Sequence, residues 1–235
     1  MASAAASIDY LPGVRSHLVS TRTAERPTPL EELSERYHEH QYERAASDFV
    51  YGGEERAALF KRYVGGPGKR VLDLGCRSGA LTQAYLAGNE VIGVDVDRRA
   101  LREAARRGIA TCWADVEQLL PFDDWEFDVV VAGELLEHVR DPAALLREVR
   151  RVLRPGGRLV GSVPNGFRLK NRLRFLLGRE PEDNPTHLHL YSPSALLSLL
   201  DGFADPELHF ISSRFSRLHP RLMANIVVFA AISPE

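Results

Sequence analysis

The sequence predicts an α/β protein: a mostly parallel sheet with helices on both faces, closed by a C-terminal antiparallel hairpin. Three observations predict it. From residue 70 onward, short apolar runs alternate with amphipathic stretches of helical length. The runs are nearly continuous in apolar residues, as strands covered on both faces require. The tail breaks this pattern with two strand-like runs, PELHFISSRF and ANIVVFAAIS, and no helix-length pattern between them.

The elements follow in order. PLEELSERYHEHQYERAASDF and GGEERAALFKRYV place apolar and aromatic residues at helical spacing and form a helical leader over residues 29–64. GGPGK ends it. RVLDLG is the first strand, followed by a helix GALTQAYLAG that Gly88 and Asn89 close. EVIGVD is the second strand, and Asp97 is placed to cap the helix DRRALREAARRG. IATCWAD carries a third strand to Asp115, and FDVVVAG is the fourth. The helix DPAALLREVRRVLRPGG has Pro142 in its first turn, and Pro155-Gly156-Gly157 should stop it before the fifth strand, RLVGSVPN. Residues 1–28 read as a flexible arm, 70–164 as the strand-helix core, 165–192 as an insertion or lid, and 193–235 as the last helix and hairpin. Residues 29–235 form one domain in this reading.

Composition narrows the function classes. The chain has 235 residues, 44% hydrophobic and 26% charged, with a net charge of -2. That balance gives no whole-chain electrostatic footprint for nucleic acid, and none is expected as a partner. Cys76 and Cys112 fit no disulfide framework or zinc spacing, so a reducing, cytoplasmic setting is expected. The longest apolar run near the end, Ile226 to Ile232, falls far short of the roughly 20 residues a membrane span needs.

Ligands of open α/β sheets bind beyond the carboxyl ends of the strands. The first strand delivers DLGCRSG, with Asp73, Gly75, Cys76 and Gly79 around a small-residue turn that leads into a helix. Asp95 ends the second strand at the spacing suited to a ribose diol, with Val96 after it. Asp115 and Val116 end the third. The pattern is D-x-G-x-x-x-G, not G-x-G-x-x-G. Asp73 would repel a phosphate but suits an ammonium group, so a cofactor with an amino-acid end, a ribose and an adenine fits better than a dinucleotide. S-adenosylmethionine is that molecule; a NAD(P)-dependent oxidoreductase is the rival.

VLDLGCRSGALT, VIGVDVD, WADVEQLLPF, FDVVVAGELLEHV and EVRRVLRPGGRL, in this order, resemble the class I S-adenosylmethionine-dependent methyltransferases. The resemblance implies a Rossmann-like sheet of seven strands. It places Asp73, Gly75, Cys76 and Gly79 at the methionine end, Asp95 on the ribose hydroxyls and Val96 on adenine. Asp115 and the Val116 backbone then read the adenine edge. One departure stands out: the family commonly has glycine where this chain has Arg77, whose side chain must project away from the cofactor.

GELLEHV follows the fourth strand and puts Glu134, Glu137 and His138 at spacings that share one face of a helix. The residues alone leave two readings open: a solvated, pocket-lining helix start with Glu134 beside the cofactor, or ligands to a cation. Downstream, THLHLYSP offers His187 and His189 on an extended segment, pointing the same way. The combination of E-x-x-E-H, P-N and a later histidine resembles the ubiquinone-biosynthesis catechol O-methyltransferases and the small-RNA 2′-O-methyltransferases. By that resemblance the ligands are Glu134, Glu137, His138 and His187, with His189 the weaker partner. Such a set accepts Mg, Mn or Zn. Without metal, His138 or His187 is the general base, with Glu137 beside them. Both routes point to O-methylation of a small-molecule acceptor such as a sugar, a phenol or a natural-product scaffold. Metal-free N- or C-methylation and a non-catalytic scaffold are the other readings.

FRLKNRLRFLLGR, residues 167–179, reads as a basic amphipathic helix. Either its apolar side packs on the domain as a lid, or it makes a peripheral membrane contact, as the resemblance to the ubiquinone-type enzymes implies. Tyr37, His38, His40, Tyr42 and Tyr51 of the leader are expected over the cofactor mouth.

Overall fold

The computed structural model describes residues 28–42, 50, 52–181, 184, 186–212 and 218–234, with backbone alone over 36–42. The expected arm over 1–28 therefore lies almost wholly outside the described residues, as do Tyr51 and the side chains of Tyr37, His38, His40 and Tyr42.

Among the described residues, seven strands form one sheet: β1 (Arg70–Leu74), β2 (Glu90–Asp95), β3 (Ala110–Trp113), β4 (Phe127–Gly133), β5 (Leu153–Pro164), β6 (Ala204–Ile211) and β7 (Ile226–Ile232). Their order is β3-β2-β1-β4-β5-β7-β6. β1 to β5 pair in parallel, and β7 runs antiparallel between β5 and β6. The fold class and the terminal hairpin are as expected.

Each central strand sends successive residues to opposite faces, which makes two apolar layers. Val71, Val91, Val129 and Val131 pack with Phe60, Tyr63 and Val64 of α2 (Gly53–Val64) and with Leu101 and Ala104. Leu72, Ile92 and Val130 pack on the other side with Leu145, Leu146, Val149 and Val152 of the helix over Pro142–Val152, and with Leu196 and Leu200. The leader also contributes α1 (Pro29–Tyr42).

The helices on these layers are capped by side chains, at Asp97 as expected and at two further positions. Asp97 accepts from the amides of Arg99 and Ala100 at the start of α4 (Arg98–Arg106), after the single short turn of α3 (Gln83–Leu86). Asp141 accepts from the Ala144 amide ahead of α5 (Pro142–Val152), and Ser192 does the same for Ala195 before α7 (Pro193–Leu199).

Four boundaries differ from expectation, each for a local reason. The helix after β1 shrinks to α3 because residues 76–82 wrap as tight turns, with the Gly79 amide on the Cys76 carbonyl. β3 stops at Trp113, because Asp115 turns the chain by accepting from the Glu117 amide at 2.9 Å. α5 ends at Val152, and Pro155-Gly156-Gly157 belongs to β5. There the register with β4 slips between Phe127 and Val129, and Gly156 (φ 72°) donates to the Ser233 carbonyl at 3.0 Å, so the run is a bulge inside a strand. Finally, a short helix, α8 (Pro220–Met223), sits between the last two strands.

Gly161 shows how closely β5 and β7 approach. A Cβ there would stand 2.3 Å from the Phe229 ring and 2.7 Å from the Ala132 carbonyl oxygen. Phe229 is fully buried, so the ring has nowhere to move. Gly161→Ala should destabilise the fold by about 1–3 kcal/mol, read as a lowered midpoint in urea with an unchanged slope; an unaltered midpoint would show that the sheet gives way locally.

Candidate functional site

The sheet changes direction of build at β1, with β2 on one side and β4 on the other. That switch leaves a crevice at the carboxyl ends of the strands. The expected cofactor residues of β1, β2 and β3 all reach this edge. The Gly75 and Cys76 amides donate to the Val94 carbonyl at 2.8 and 3.1 Å. Gly75 (φ 71°) and Gly79 (φ 75°) take left-handed backbone, and a Cβ on Gly79 would meet Ile109 at 2.2 Å. Arg77 adopts the same left-handed region (φ 51°), the conformation a glycine there would favour.

Asp95 latches the turn. One carboxylate oxygen accepts from the Arg77 amide and the other from the Asp97 amide, both at 2.8 Å. Its carboxyl is pushed above the usual range by burial, against these two bonds. The Val96 carbonyl accepts from the Trp113 indole at 2.8 Å, and Arg98 lies 3.6 Å over the Trp113 ring. Val116 is buried and lines, with Asp141, Leu145 and Glu148, a cavity of about 220 Å³ beside the loop after β3. Burial pushes the Cys76 thiol well up, so it is a small packing group and not a nucleophile.

Asp73 is 4% exposed and holds the hydroxyls of Thr82 and Tyr85 at 2.6 and 2.7 Å. Burial pushes its carboxyl up to about 6 despite these bonds.

GELLEHV is not a helix. β4 runs out at Gly133, Glu134 is left-handed (φ 54°), and residues 136–138 form a turn closed by the His138 amide on the Leu135 carbonyl at 2.9 Å. The three acidic and imidazole side chains therefore do not share a helical face. Glu134, expected as a ligand, turns to Arg56 of α2 at 3.4 Å. Arg56 is itself buried and also reaches the Ser162 hydroxyl at 3.4 Å.

The other three expected ligands do converge. Donor atoms of Glu137, His138 and His187 all lie within 4.8 Å of one another. The insertion brings His187 there because its returning segment is bonded to the turn. The Leu188 and His189 amides donate to the Glu137 carbonyl at 2.7 and 3.3 Å, and the Tyr191 hydroxyl donates to the Leu136 carbonyl at 3.0 Å. His189 points elsewhere, its Nε2 donating to the Val139 carbonyl at 2.9 Å. His138 Nδ1 lies 3.0 Å from the Thr186 carbonyl. A carbonyl only accepts, so Nδ1 carries a proton, and Nε2 lies on the cluster side, 4.0 Å from the Glu137 carboxylate.

Asn165 of the P-N pair braces the fold: its amide donates to the carbonyls of Arg221 and Ala224, both at 3.0 Å. Arg56, Thr82, Tyr85 and Thr186 were missed in the sequence. Only Arg56 carried a signal, as an arginine set in the apolar stripe of Phe60, Tyr63 and Val64.

A family model described as a methyltransferase domain matches residues 72–161. Among curated proteins, a ubiquinone biosynthesis O-methyltransferase of Ralstonia nicotianae is 36% identical over 146 residues, 58% of this chain and 61% of that protein. One of Idiomarina loihiensis is 34% identical over 151 residues, with the same shares covered. The chain thus spans about three fifths of the length of these relatives. Among solved structures, a SAM-dependent methyltransferase from Archaeoglobus fulgidus has a TM-score of 0.65 at 20% identity, over 84% of this chain and 99% of that one. A phosphoethanolamine N-methyltransferase of Haemonchus contortus, in complex with S-adenosyl-L-methionine, has a TM-score of 0.62 at 20% identity, over 81% and 55%. At that identity the likeness is one of fold. The fold is the one these methyltransferase structures share, and residues 72–161 are similar to a methyltransferase domain.

Asp73 makes stability depend on pH. Its folded value of about 6 lies above its ordinary 3.8, so the folded state holds the extra proton between them. The stability this contributes is complete below the lower value and is lost as pH rises through the upper one. Relative to Asp73→Asn, the ligand-free protein should lose roughly 3 kcal/mol between those limits. Urea titrations of both proteins across the range test this; a constant difference would refute it.

Proposed function

We propose that this chain transfers the methyl group of S-adenosylmethionine to a hydroxyl oxygen of a small molecule, with a divalent cation held by Glu137, His138 and His187. The observation that carries the oxygen assignment is the convergence of that carboxylate and two imidazoles on the turn after β4, next to β1 and its Gly-rich turn. The donor chemistry fits Mg, Mn or Zn. One carboxylate and two imidazoles are a common set, His138 is oriented through its far nitrogen, and three protein ligands leave positions for substrate oxygens. A cation held there supplies Lewis-acid activation of a bound hydroxyl.

The chain's own residues do the rest. In this reading Asp95 receives the ribose hydroxyls, Val96 packs on adenine, and Asp115 with the Val116 backbone meets the adenine edge. Asp73 faces the ammonium of the methionine end. Arg56, buried beside Glu134 and Ser162, supplies the positive charge that the methionine carboxylate needs. Methyl transfer is an in-line displacement in which positioning of the two reactants dominates. The acceptor oxygen attacks the methyl carbon as the sulfonium becomes a neutral thioether, and the hydroxyl proton leaves to water, since His187 has no basic nitrogen to spare while it holds the cation. The names of the ubiquinone-type relatives support an O-linked acceptor, and a hydroxyl next to a second oxygen would suit the open side of the cluster.

The insertion favours a further reading of the acceptor. α6 (Leu169–Leu176) does not pack its apolar side on the domain: Phe175, Leu176 and Leu177 are 71%, 79% and 72% exposed, among Arg172, Arg174 and Arg179. An exposed face of this kind suits an anionic membrane surface and an amphipathic acceptor. No described helix is long and apolar enough to cross a membrane.

Three outcomes are expected. S-adenosylhomocysteine should raise the melting temperature where NAD does not, and Arg56→Met should weaken its binding at least tenfold by calorimetry; an unchanged affinity would remove Arg56 from the site. Chelation, Glu137→Gln or His187→Ala should abolish methyl transfer to a diol acceptor while S-adenosylhomocysteine still binds, and full turnover after exhaustive chelation would sink the cation. Replacing Phe175, Leu176 and Leu177 together by serine should abolish co-sedimentation with anionic phospholipid vesicles, whereas equal recovery of both proteins would assign this face another role.

A further inference from the structure

We propose that Thr82 and Tyr85 are positioning residues for the cofactor: their two hydroxyls, donated to one oxygen of Asp73, hold that carboxylate as an anion and direct its other oxygen to the cofactor's ammonium group. The inference rests on the reading of Asp73 at the methionine end and adds to it the two groups that make Asp73 usable there.

The geometry is specific. Asp73, Thr82 and Tyr85 are 4%, 0% and 3% exposed. Each hydroxyl has one proton to donate, and both go to Oδ2, at 2.6 and 2.7 Å. Such lengths belong to charge-assisted bonds to an ionised acceptor. Thr82 precedes α3 and Tyr85 lies within it, on the segment that leaves the Gly-rich turn. The same wall of the core could be closed by valine and phenylalanine at equal volume. Burying two hydroxyls there is costly unless a partner needs them.

Asp73 needs them because its surroundings are divided. Burial opposes its charge most strongly, and Asp95 of β2 opposes it further. Arg56 of α2 favours the charge, but by less than either hydroxyl. The Cys76 thiol of the same turn stays neutral, its own ionisation suppressed by burial and by Asp73. The balance leaves the carboxyl at about 6, only just an anion at neutral pH. A hydrogen bond to a charged group contributes about 1.5–3 kcal/mol, and 1.36 kcal/mol is about one pH unit. Losing both hydroxyls would therefore leave Asp73 largely protonated at neutral pH and unable to attract an ammonium group.

The test is calorimetric titration of S-adenosylhomocysteine into wild type, Tyr85→Phe, Thr82→Val and the double variant, over a pH series from mildly acidic to mildly alkaline. The pH at which affinity falls by half should move upward by about one unit for each hydroxyl removed. Thr82→Ser should restore the wild-type midpoint. Binding of 5′-methylthioadenosine, which lacks the amino-acid end, should keep one pH profile in all variants. An unmoved midpoint, or an affinity lowered by the same factor at every pH, would overturn the proposal, since a purely structural role would act that way. Asp73→Asn separates the two levels. If it weakens S-adenosylhomocysteine while the hydroxyl variants keep the wild-type midpoint, the positioning role fails and the reading of Asp73 stands. If it binds as tightly as wild type at the alkaline end, that reading falls and takes the proposal with it.

Discussion

The site depends on one arrangement, β1 lying between β2 and β4. Parallel pairing on both sides aligns three carboxyl ends, so Asp73, Asp95 and the turn after β4 arrive at one edge. The chain connections leave that edge in opposite directions, toward α3 on one side and toward the GELLEHV turn on the other. The crevice between them needs no dedicated pocket walls. It also explains why backbone groups do so much there: the Val94 carbonyl takes two amides and Asp95 takes two more.

The parts of the fold legible in the sequence were those set by short-range pattern. VLDL, VIGV and FDVVVA are nearly continuous in apolar residues because both faces are covered, and Asp97 caps the helix it precedes. Pro155-Gly156-Gly157 misled because its local preference for a turn was overridden by pairing with β4 and by the Gly156 bond to Ser233. GELLEHV misled because three polar residues at helical spacing match a helix and an irregular turn equally well. Glu134 could not have been predicted to face Arg56, since that contact spans 78 positions of chain and depends on where α2 docks. Tyr85 looked like a core aromatic, and it is one; its hydroxyl partner becomes visible only when α3 folds back under β1.

The candidate cation cluster shows how an insertion can be made part of a rigid core. His187 sits about fifty positions after His138, yet the segment around it is bonded to the turn through Leu188, His189, Tyr191 and Thr186. Four separate bonds from one short stretch fix an otherwise free-standing loop, so its imidazole is held by main chain and not by packing alone. The apolar α6 lies on the outward half of the same insertion. One segment thus carries both a half bonded to the core and a half exposed to solvent.

The reversed strand β7 has a consequence for how the molecule is assembled. It follows β6 in the chain, yet it lies between β5 and β6 and pairs with both. Until residues 226–232 are available, β5 presents the open edge Arg158–Pro164, and β6 has no strand to join. An apolar, unpaired edge is a template for association with other chains. The nascent protein therefore carries a risk of aggregation after the β1 to β5 unit has formed and before β7 slots in. Residues 226–232 act as the closing stave of the sheet.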